Sequence, residues 1–277
     1  MSEQALLAAR GADTVNDPRL GQRAAPVWAL RAVGRLLLVA VLVTAVNAAS
    51  RVRLRLARNP DALAKQIFSR LAATLVRLLG VVVERHGEPP AGLCVVVANH
   101  RSYVDIPLLM AAVPAVFLAK TEIAGWPLFG TSARLSRTVF VDRDDRESRK
   151  RALDELGARL DRGERITVFP EGTTTTGPGC APFRAGAFRL AAARGLPVVP
   201  VAIGYRDRRD AWVDDDSFVA HFLDRFREPH MAVTLTIGPE LRGADGAALR
   251  DRAEQWILER LAPLDGAACK WSADARA

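Results

Sequence analysis

Short hydrophobic runs rich in β-branched residues recur along most of the chain, and amphipathic segments lie between them. These runs have the length of buried strands rather than of helices. The clearest of them lie at 81–83, 93–98, 137–141, 166–169 and 198–203. Strands that alternate with helical segments predict an α/β fold with a single mixed, mostly parallel sheet flanked by helices. We place this domain at residues 81–265 and interpret 266–277 as a tail.

A different pattern precedes this domain, because residues 36–49 are apolar almost without interruption. As a helix, this stretch reaches only about 21 Å, which is short of the roughly 30 Å hydrocarbon core of a bilayer. The longer segment 27–49 spans a membrane only if Arg31 and Arg35 extend out of the hydrocarbon, so anchoring and spanning both stay open. Residues 60–79 add a second segment with apolar positions at helical spacing.

Together, residues 27–80 predict membrane-anchoring, amphipathic helices. We expect them to form a hairpin in one leaflet, on the cytoplasmic face of the cell inner membrane. Residues 1–26 are polar, contain Gly and Pro and show no sustained period, which predicts a mobile basic arm. A cleavable signal sequence is the alternative for this region, but the apolar segment begins far from Met1.

Charge and cysteine content narrow the possible partners. The net charge of +8 is concentrated in residues 1–58, where nine Arg face one Glu and two Asp. Such a segment suits anionic lipid headgroups, and the lack of aromatic residues interleaved with its arginines argues against nucleic acid. The cysteines are odd in number and unrelated in spacing, so they predict neither a disulfide framework nor a zinc site. They are Cys94, Cys180 and Cys269.

Candidate chemistry follows the hydrophobic run that ends at Asn99, where a polar turn leads into a second apolar segment, Ile106 to Ala112. His100 therefore lies at a strand-to-helix corner. In open α/β sheets, ligands bind beyond the carboxyl ends of the strands, which is where this corner places the imidazole. We therefore expect His100 to act on a substrate.

Asp105 follows His100 by five residues, a separation of about 140° on a regular helix, so the two side chains meet only across a turn. Two interpretations stay open for this carboxylate. It either caps the helix together with Ser102, in the pattern of a capping box, or it orients His100 and stabilises the protonated imidazole. In the second case, the other ring nitrogen of His100 is free to take a proton from a hydroxyl.

The turn around His100, with the sequence N-H-R-S-Y-V-D, resembles the His-x4-Asp block of the glycerolipid acyltransferases, of the bacterial 1-acylglycerol-3-phosphate acyltransferase (lysophospholipid acyltransferase) type. Three further blocks of that family follow in the same order, at 137–143, 169–173 and 199–203. Four blocks in order, within residues 81–238, make the resemblance much more specific than one block alone.

This resemblance implies an enzyme that transfers a fatty acyl group from acyl-CoA or acyl carrier protein to the free hydroxyl of a lysophospholipid, with no cofactor and no metal. It implies catalysis by His100 and Asp105. Acceptor binding falls to the second and third blocks, which contribute Arg143, Glu171, Gly172 and Thr173. Arginine offers phosphate a planar fork of donors, and a glycine turn directs backbone N–H groups at an anion. The alternatives are a surface salt bridge for Arg143 and a cap or loop hydrogen bond for Glu171.

One position departs from the family pattern. Members that act on lysophosphatidate commonly carry Arg or Lys directly after Glu-Gly-Thr, whereas this chain has Thr174 there. The missing cation weakens the case for a bare phosphomonoester and makes an amino-acid-containing acceptor, such as lyso-ornithine lipid, the alternative. Arg184 is the residue that we expect to compensate for the missing cation.

Other function classes fit the sequence less well. The chain has no Gly-x-Ser-x-Gly elbow of an α/β-hydrolase, and no second histidine lies near His100 to complete a metal site with Asp105 and Glu171. The hypothesis of a non-catalytic, membrane-binding scaffold explains the basic N-terminal region but does not explain the four sequence blocks.

Overall fold

The computed structural model describes the backbone of residues 18–213 and 216–274, and the side chains of residues 27–213 and 216–266. Seven strands in these residues form one sheet. The strands are β1 (Val81–His86), β2 (Val95–Ala98), β3 (Val116–Lys120), β4 (Val139–Val141), β5 (Ile166–Val168), β6 (Val198–Tyr205) and β7 (Met231–Ile237). Their order is β1-β7-β6-β2-β5-β3-β4, and each neighbouring pair is parallel except β6 with β7. The predicted mixed, mostly parallel sheet is confirmed.

Helices cover both faces of the sheet. They are α1 (Pro18–Leu56), α2 (Pro60–Leu78), α3 (Asp105–Ala112), α4 (Phe129–Leu135), α5 (Arg146–Asp161), α6 (Gly186–Ala193), α7 (Phe218–Arg225) and α8 (Gly246–Asp274). Short 3-10 helices, Thr121–Gly125 and Arg208–Asp210, follow β3 and β6. One hydrophobic core lies between the sheet and helices α1, α2, α3 and α7, and a second lies under α5, α6 and α8. Because strand side chains alternate, Val96 and Ala98 of β2 enter the first core, whereas Val95 and Val97 enter the second.

Pro200 predicts an edge or a bulge position within its hydrophobic run, and the structure has the bulge. Two residues of β6, 199 and 200, lie opposite three residues, 238–240, between the pairs Val201–Ile237 and Val198–Leu241. β6 is buried along its whole length, between β2 and β7. By the alternation of the strand, the nitrogen of Pro200 faces the same side as that of Val198, which bonds to Leu241. On that side the pairing with β7 ends at Ile237 and resumes only at Leu241. Proline is tolerated because its missing N–H falls in this break of the ladder.

Two predicted strand boundaries also move. β4 begins at Val139 rather than Arg137, because Arg137 has a φ of 66° and cannot continue an extended strand. The short apolar run at residues 115–118 also predicts a strand, and β3 extends two residues beyond this run, to Lys120. The last helix, α8, continues to Asp274, so the expected start of a tail at residue 266 falls inside a helix.

The N-terminal helix α1 begins at Pro18, nine residues before the predicted start at Val27, whereas residues 1–17 of the expected mobile arm lie outside the described residues. Its segment from Val27 to Leu56 is long and apolar enough to cross a membrane by length and composition. Large hydrophobic side chains line its exposed face: Val27, Trp28, Leu30, Val33, Leu37, Leu38 and Val41. The following helix, α2, packs on the core through Phe68 and Leu71.

Arg31 and Arg35 of α1 point into the protein rather than outward. The Arg35 guanidinium donates to the backbone oxygens of Phe226, Glu228 and Pro229, directly after α7, at 2.6 to 2.9 Å. Arg31 donates to the next carbonyl in the same turn, that of Arg227, at 3.1 Å. Carbonyl groups at a helix C-terminus favour cations, so both arginines stabilise the end of α7.

A second polar contact holds α1 in its C-terminal third. The Asn47 side chain donates to the backbone oxygen of Leu128 at 3.1 Å and accepts from the hydroxyl of Ser132 at 3.0 Å. With Arg35 on α7 and Asn47 on α4, α1 lies along the surface of the domain and bridges the two helices.

Candidate active site

The first polar residue beyond β2 ties that strand to its neighbour. Asn99 is fully buried, and its side chain accepts from the backbone N–H of Ile203 at 2.8 Å and donates to the Ile203 oxygen at 2.9 Å. This pair of bonds fixes the carboxyl end of β2 against β6. His100 therefore starts from a rigid point at the edge of the sheet.

His100 and Asp105 meet across the turn, as one of the two interpretations required. Nδ1 of His100 lies 2.8 Å from Oδ2 of Asp105, and the imidazole stacks on the ring of Phe169 with 3.9 Å between centroids. Asp105 is completely buried, whereas the His100 side chain keeps 15% of its surface exposed. This geometry leaves Nε2 as the ring nitrogen that is not bonded to Asp105.

The Asp105 carboxylate also organises the turn itself. Oδ2 accepts the backbone N–H groups of Arg101 at 2.7 Å and of Ser102 at 2.9 Å. The bond from the Ser102 N–H is one half of the predicted capping box, whereas the other half is not formed because the buried Ser102 hydroxyl has no hydrogen-bond partner. Asp105 therefore both orients His100 and satisfies backbone donors before α3. The second oxygen, Oδ1, accepts the hydroxyl of Tyr205 at 2.5 Å.

Glu171 joins the third block to the corner that holds His100. Its carboxylate accepts the backbone N–H of His100 and that of Ala181, both at 2.6 Å, and the Thr175 hydroxyl at 3.1 Å. Burial raises the pKa of Glu171, while the donors from Ala181 and His100 oppose that shift. This is the arrangement of a carboxylate that holds a loop, which was one of the alternatives for Glu171.

The backbone makes a tight turn at Gly172, as the presence of glycine in this block predicted. Its φ is 82°, a left-handed value that favours glycine. The Arg184 side chain lies directly over it, because a Cβ at position 172 would be 3.0 Å from the Arg184 Nε. Thr173, the next residue, is exposed to solvent. The structure thus brings Gly172 and Arg184 together beside the corner.

Arg143 lies at the carboxyl end of β4, on the same edge of the sheet. Partial burial and the like charge of Arg184 lower the pKa of Arg143, and the nearby carboxylate of Glu122 opposes this shift. Lys120 pairs with Val141 in the parallel register of β3 and β4, so the segments that carry Glu122 and Arg143 leave the sheet side by side. Among the described residues, no carboxylate lies within 4 Å of the guanidinium of Arg143 or of Arg184, so neither arginine forms a salt bridge there.

The C-terminal helix also contacts the corner. The buried guanidinium of Arg101 donates to both carboxylate oxygens of Asp265 and to the Gly179 oxygen, at 3.0 to 3.1 Å. Asp265 accepts the Gly179 N–H in turn at 2.8 Å. The loop after the third block is therefore clamped between the His-x4-Asp turn and α8.

Sequence reasoning missed Tyr205, Glu122 and Asp265. Tyr205 had a visible signal: it is a polar aromatic residue at the end of the apolar run of the fourth block, so it reaches the same edge of a parallel sheet. Glu122 and Asp265 had none, because their neighbours are set by tertiary packing.

Two other kinds of site receive no support from the geometry. Burial and nearby Glu171 raise the pKa of the Cys180 thiol to about 12, the opposite of what activates a cysteine nucleophile. In the part of the chain that the structure describes, no three His, Cys, Asp or Glu side chains are grouped closely enough to hold a metal ion. The Cys269 side chain lies outside the described residues.

Comparison with known proteins places these residues in context. The family model described as acyltransferase matches residues 63–204. Lyso-ornithine lipid O-acyltransferase of Pseudomonas aeruginosa is 35% identical over 192 residues, which cover 67% of this chain and 74% of that protein. The 1-acyl-sn-glycerol-3-phosphate acyltransferase of Neisseria gonorrhoeae is 38% identical over 120 residues, 43% of this chain and 47% of its own length.

A solved structure has the same fold. The crystal structure of the 1-acyl-sn-glycerophosphate acyltransferase PlsC from Thermotoga maritima matches with a TM-score of 0.60 and 24% identity. The match covers 83% of this chain and 95% of that one.

Proposed function

The chain belongs to the acyltransferase family, and from that premise we propose that it transfers a fatty acyl group from a thioester to the free hydroxyl of a lysolipid, with His100 as general base. The class of reaction, acylation of a lysolipid, is that of the family. The observation that carries the mechanism is the bond between Nδ1 of His100 and the buried Asp105 carboxylate.

The proposed reaction needs no covalent acyl-enzyme. Asp105 holds His100 in the tautomer with the proton on Nδ1, so the lone pair of Nε2 takes the proton of the acceptor hydroxyl. The alkoxide oxygen attacks the thioester carbonyl, and collapse of the tetrahedral intermediate breaks the C–S bond. The thiolate leaves and receives the proton from His100, which restores the enzyme. The products are the diacyl lipid and the free thiol of the carrier.

The donor in this proposal is acyl-CoA or acyl carrier protein, both of which present an acyl thioester. They act as co-substrates, and the proposed chemistry uses neither a cofactor nor a metal. A thioester is activated enough for direct attack by the acceptor oxygen, so the proposed reaction requires one general base and no acyl-enzyme.

The acceptor headgroup lies at the rim formed by Arg143, Gly172 and Arg184 in this proposal. Two unpaired guanidinium groups near a left-handed glycine turn suit an anionic group, so a lysophospholipid phosphate is the first candidate. Glu171 positions the turn, and Thr173, exposed beside it, offers a hydroxyl to the same headgroup.

Three observations support a second candidate acceptor, lyso-ornithine lipid. Thr174 replaces the cation expected for lysophosphatidate, and proteins named for lyso-ornithine lipid acylation are 34 to 37% identical to this chain. In addition, Glu122 lies beside Arg143, so the rim carries both signs of charge. An amino-acid headgroup with a carboxylate and an ammonium group matches that distribution.

Purified protein tested with labelled acyl-CoA and acyl carrier protein against a panel of lysolipids checks this proposal. We expect acyl transfer to at least one acceptor and a loss of about 100-fold or more on His100→Ala with unchanged folding. Undiminished turnover of folded His100→Ala would remove the mechanism. Vesicle binding without any acyl transfer would instead favour the non-catalytic scaffold.

We also propose that α1 and α2 anchor the enzyme to one leaflet of the inner membrane from its cytoplasmic side. The outward face of α1 is apolar, whereas Arg35 and Asn47 hold its inner face on the domain. A helix bound to the domain at both positions cannot cross the bilayer while it keeps those contacts, so it lies in the interface with its apolar face in lipid.

Co-sedimentation with anionic vesicles tests this anchoring. Val41→Asp, at a side chain that is 68% exposed on α1, is expected to reduce the bound fraction strongly. Val82→Asp is the matched control, because Val82 is 55% exposed but lies on β1. Equal binding of both variants and the unchanged protein would exclude α1 as the anchor.

A further inference from the structure

Tyr205 makes a contact with the catalytic dyad that the four sequence blocks do not account for. It is the last residue of β6, and its hydroxyl donates to Oδ1 of Asp105 at 2.5 Å. We propose that Tyr205 is a positioning residue for acyl transfer, which fixes the Asp105 carboxylate so that it holds His100 in its reactive tautomer and orientation. This inference rests on the proposed function of His100 as general base.

The two oxygens of Asp105 accept hydrogen bonds from different parts of the fold, and Oδ1 accepts from Tyr205. Oδ2 accepts from the His100 ring and from the backbone of Arg101 and Ser102. All three donors belong to one turn, so they hold the carboxylate from one side only. A hydroxyl on Oδ1, delivered by a different strand, holds the carboxylate from the opposite side and satisfies its second oxygen.

Burial makes this bond effective. Tyr205 and Asp105 are both buried, and a hydrogen bond to a charged group is strongest where water does not compete. Burial and the adjacent Asp105 raise the pKa of Tyr205 well above its usual value, so the phenol remains a donor throughout the working pH range. Its charge-stabilising effect therefore persists wherever the enzyme is active.

The position of Tyr205 is itself rigid. β6 lies between β2 and β7 and is buried along its length. Two residues before Tyr205, Ile203 is bonded through both its N–H and its oxygen to the Asn99 side chain. Asn99 directly precedes His100, and Ile203 lies two residues before Tyr205. The bonds between Asn99 and Ile203 therefore fix the positions of His100 and Tyr205 relative to each other.

A purely structural role is the competing explanation, in which Tyr205 only satisfies a buried carboxylate. The two differ in what Tyr205→Phe changes. A structural role predicts a lower melting temperature with normal turnover in the folded fraction. A positioning role predicts a lower kcat at nearly constant KM for both substrates, together with an altered pH profile.

Tyr205→Phe removes only the hydroxyl, and Tyr103→Phe is the matched control because Tyr103 is the only other tyrosine in the chain. The Tyr103 hydroxyl is 3.1 Å from Nδ1 of His221 and bonds to no member of the dyad. We expect Tyr205→Phe to lower kcat about 10-fold and Tyr103→Phe to leave it within about 2-fold.

The pH profile of kcat/KM gives the second readout. Loss of the donor raises the proton affinity of the Asp105 carboxylate and strengthens its attraction for the protonated imidazole. Both effects keep the dyad protonated to higher pH, so the acid limb of the kcat/KM profile shifts to higher pH in Tyr205→Phe. An acid limb that stays in place, with normal kcat, would overturn the proposal even if the melting temperature falls.

A double-mutant cycle with Asp105→Asn completes the test, and His100→Ala separates the two levels of inference. If Tyr205 acts through Asp105, its removal has little further effect on kcat in the Asp105→Asn background. Fully independent losses would contradict this. A folded, fully active His100→Ala enzyme would contradict the proposed function itself. If His100→Ala is inactive but Tyr205→Phe has the kcat and pH profile of the unchanged enzyme, only the role of Tyr205 is contradicted.

Discussion

The proposed catalytic corner around His100 and Asp105 and the charged rim occupy the same edge of the sheet but are built in opposite ways. At the corner, the buried Asp105 carboxylate accepts four hydrogen bonds, three from the turn that follows β2 and one from Tyr205 at the end of β6. At the rim, Glu122 and Arg184 are exposed, and no salt bridge within the described residues neutralises Arg143 or Arg184. One region is complete before substrate arrives, and the other offers charges that are still unpaired.

This difference assigns separate tasks to the two regions in the mechanism proposed above. A general base must be oriented in advance, because each degree of freedom lost during the reaction adds to the barrier. A headgroup site gains affinity from charges that pair only with the ligand. Changes at the corner should therefore act on kcat, and changes at the rim should act on the KM of the acceptor and on the choice between acceptors.

The largest effect is expected for Asp105→Asn. The amide leaves the shape of the corner similar but removes the charge, and its NH2 group cannot accept from the backbone N–H groups that Asp105 satisfies. We expect kcat to fall by about 10² to 10³-fold, with the KM of both substrates changed much less. Steady-state kinetics on protein with a native circular dichroism spectrum measures this, and a change confined to KM would contradict the division of tasks.

The fold was largely predictable because its strands are β-branched runs with clear ends. The run from Leu93 to Ala98, followed by a polar turn, predicted both the strand and the place of His100, and the pairing of His100 with Asp105 was one of two geometries that the spacing allowed. The order of the strands was not predictable from the same pattern. Only that order puts Tyr205 against Asp105, across 100 residues of sequence.

Long-range polar contacts explain the remaining differences. Arg31 and Arg35 interrupt an apolar segment, and the sequence alone indicated charges that must leave the hydrocarbon if this segment spans a bilayer. Their partners are carbonyl oxygens at residues 226–229, about 190 residues away, which no local pattern can reveal. For Pro200, sequence alone left an edge and a bulge open for a related reason, because the extra residue that makes the bulge belongs to the partner segment, at 238–240.

Arg143→Ala should give a smaller effect of a different kind. Hydrogen bonds from arginine to an anionic headgroup contribute about 1.5 to 3 kcal/mol, so the acceptor KM should rise roughly 10-fold or more while kcat stays within about 2-fold. Arg146→Ala is the matched control, because Arg146 is an exposed arginine three residues further on, in the first turn of α5. An equal effect of the two variants on the acceptor KM would place the headgroup elsewhere.

The smallest effect, on acceptor choice, is expected for Glu122→Gln. If the rim binds a zwitterionic amino-acid headgroup, the Glu122 carboxylate attracts its ammonium group and repels a doubly charged phosphate. Exposed charge pairs contribute at most about 1 kcal/mol, so the ratio of kcat/KM for lyso-ornithine lipid over lysophosphatidate should fall by about 5-fold. Competition between the two acceptors in one reaction measures that ratio directly. Glu84→Gln, at an exposed carboxylate on β1, is the control and should leave the ratio unchanged. An unchanged ratio in Glu122→Gln would mean that the negative charge beside Arg143 takes no part in headgroup selection, and that the two arginines alone select the acceptor.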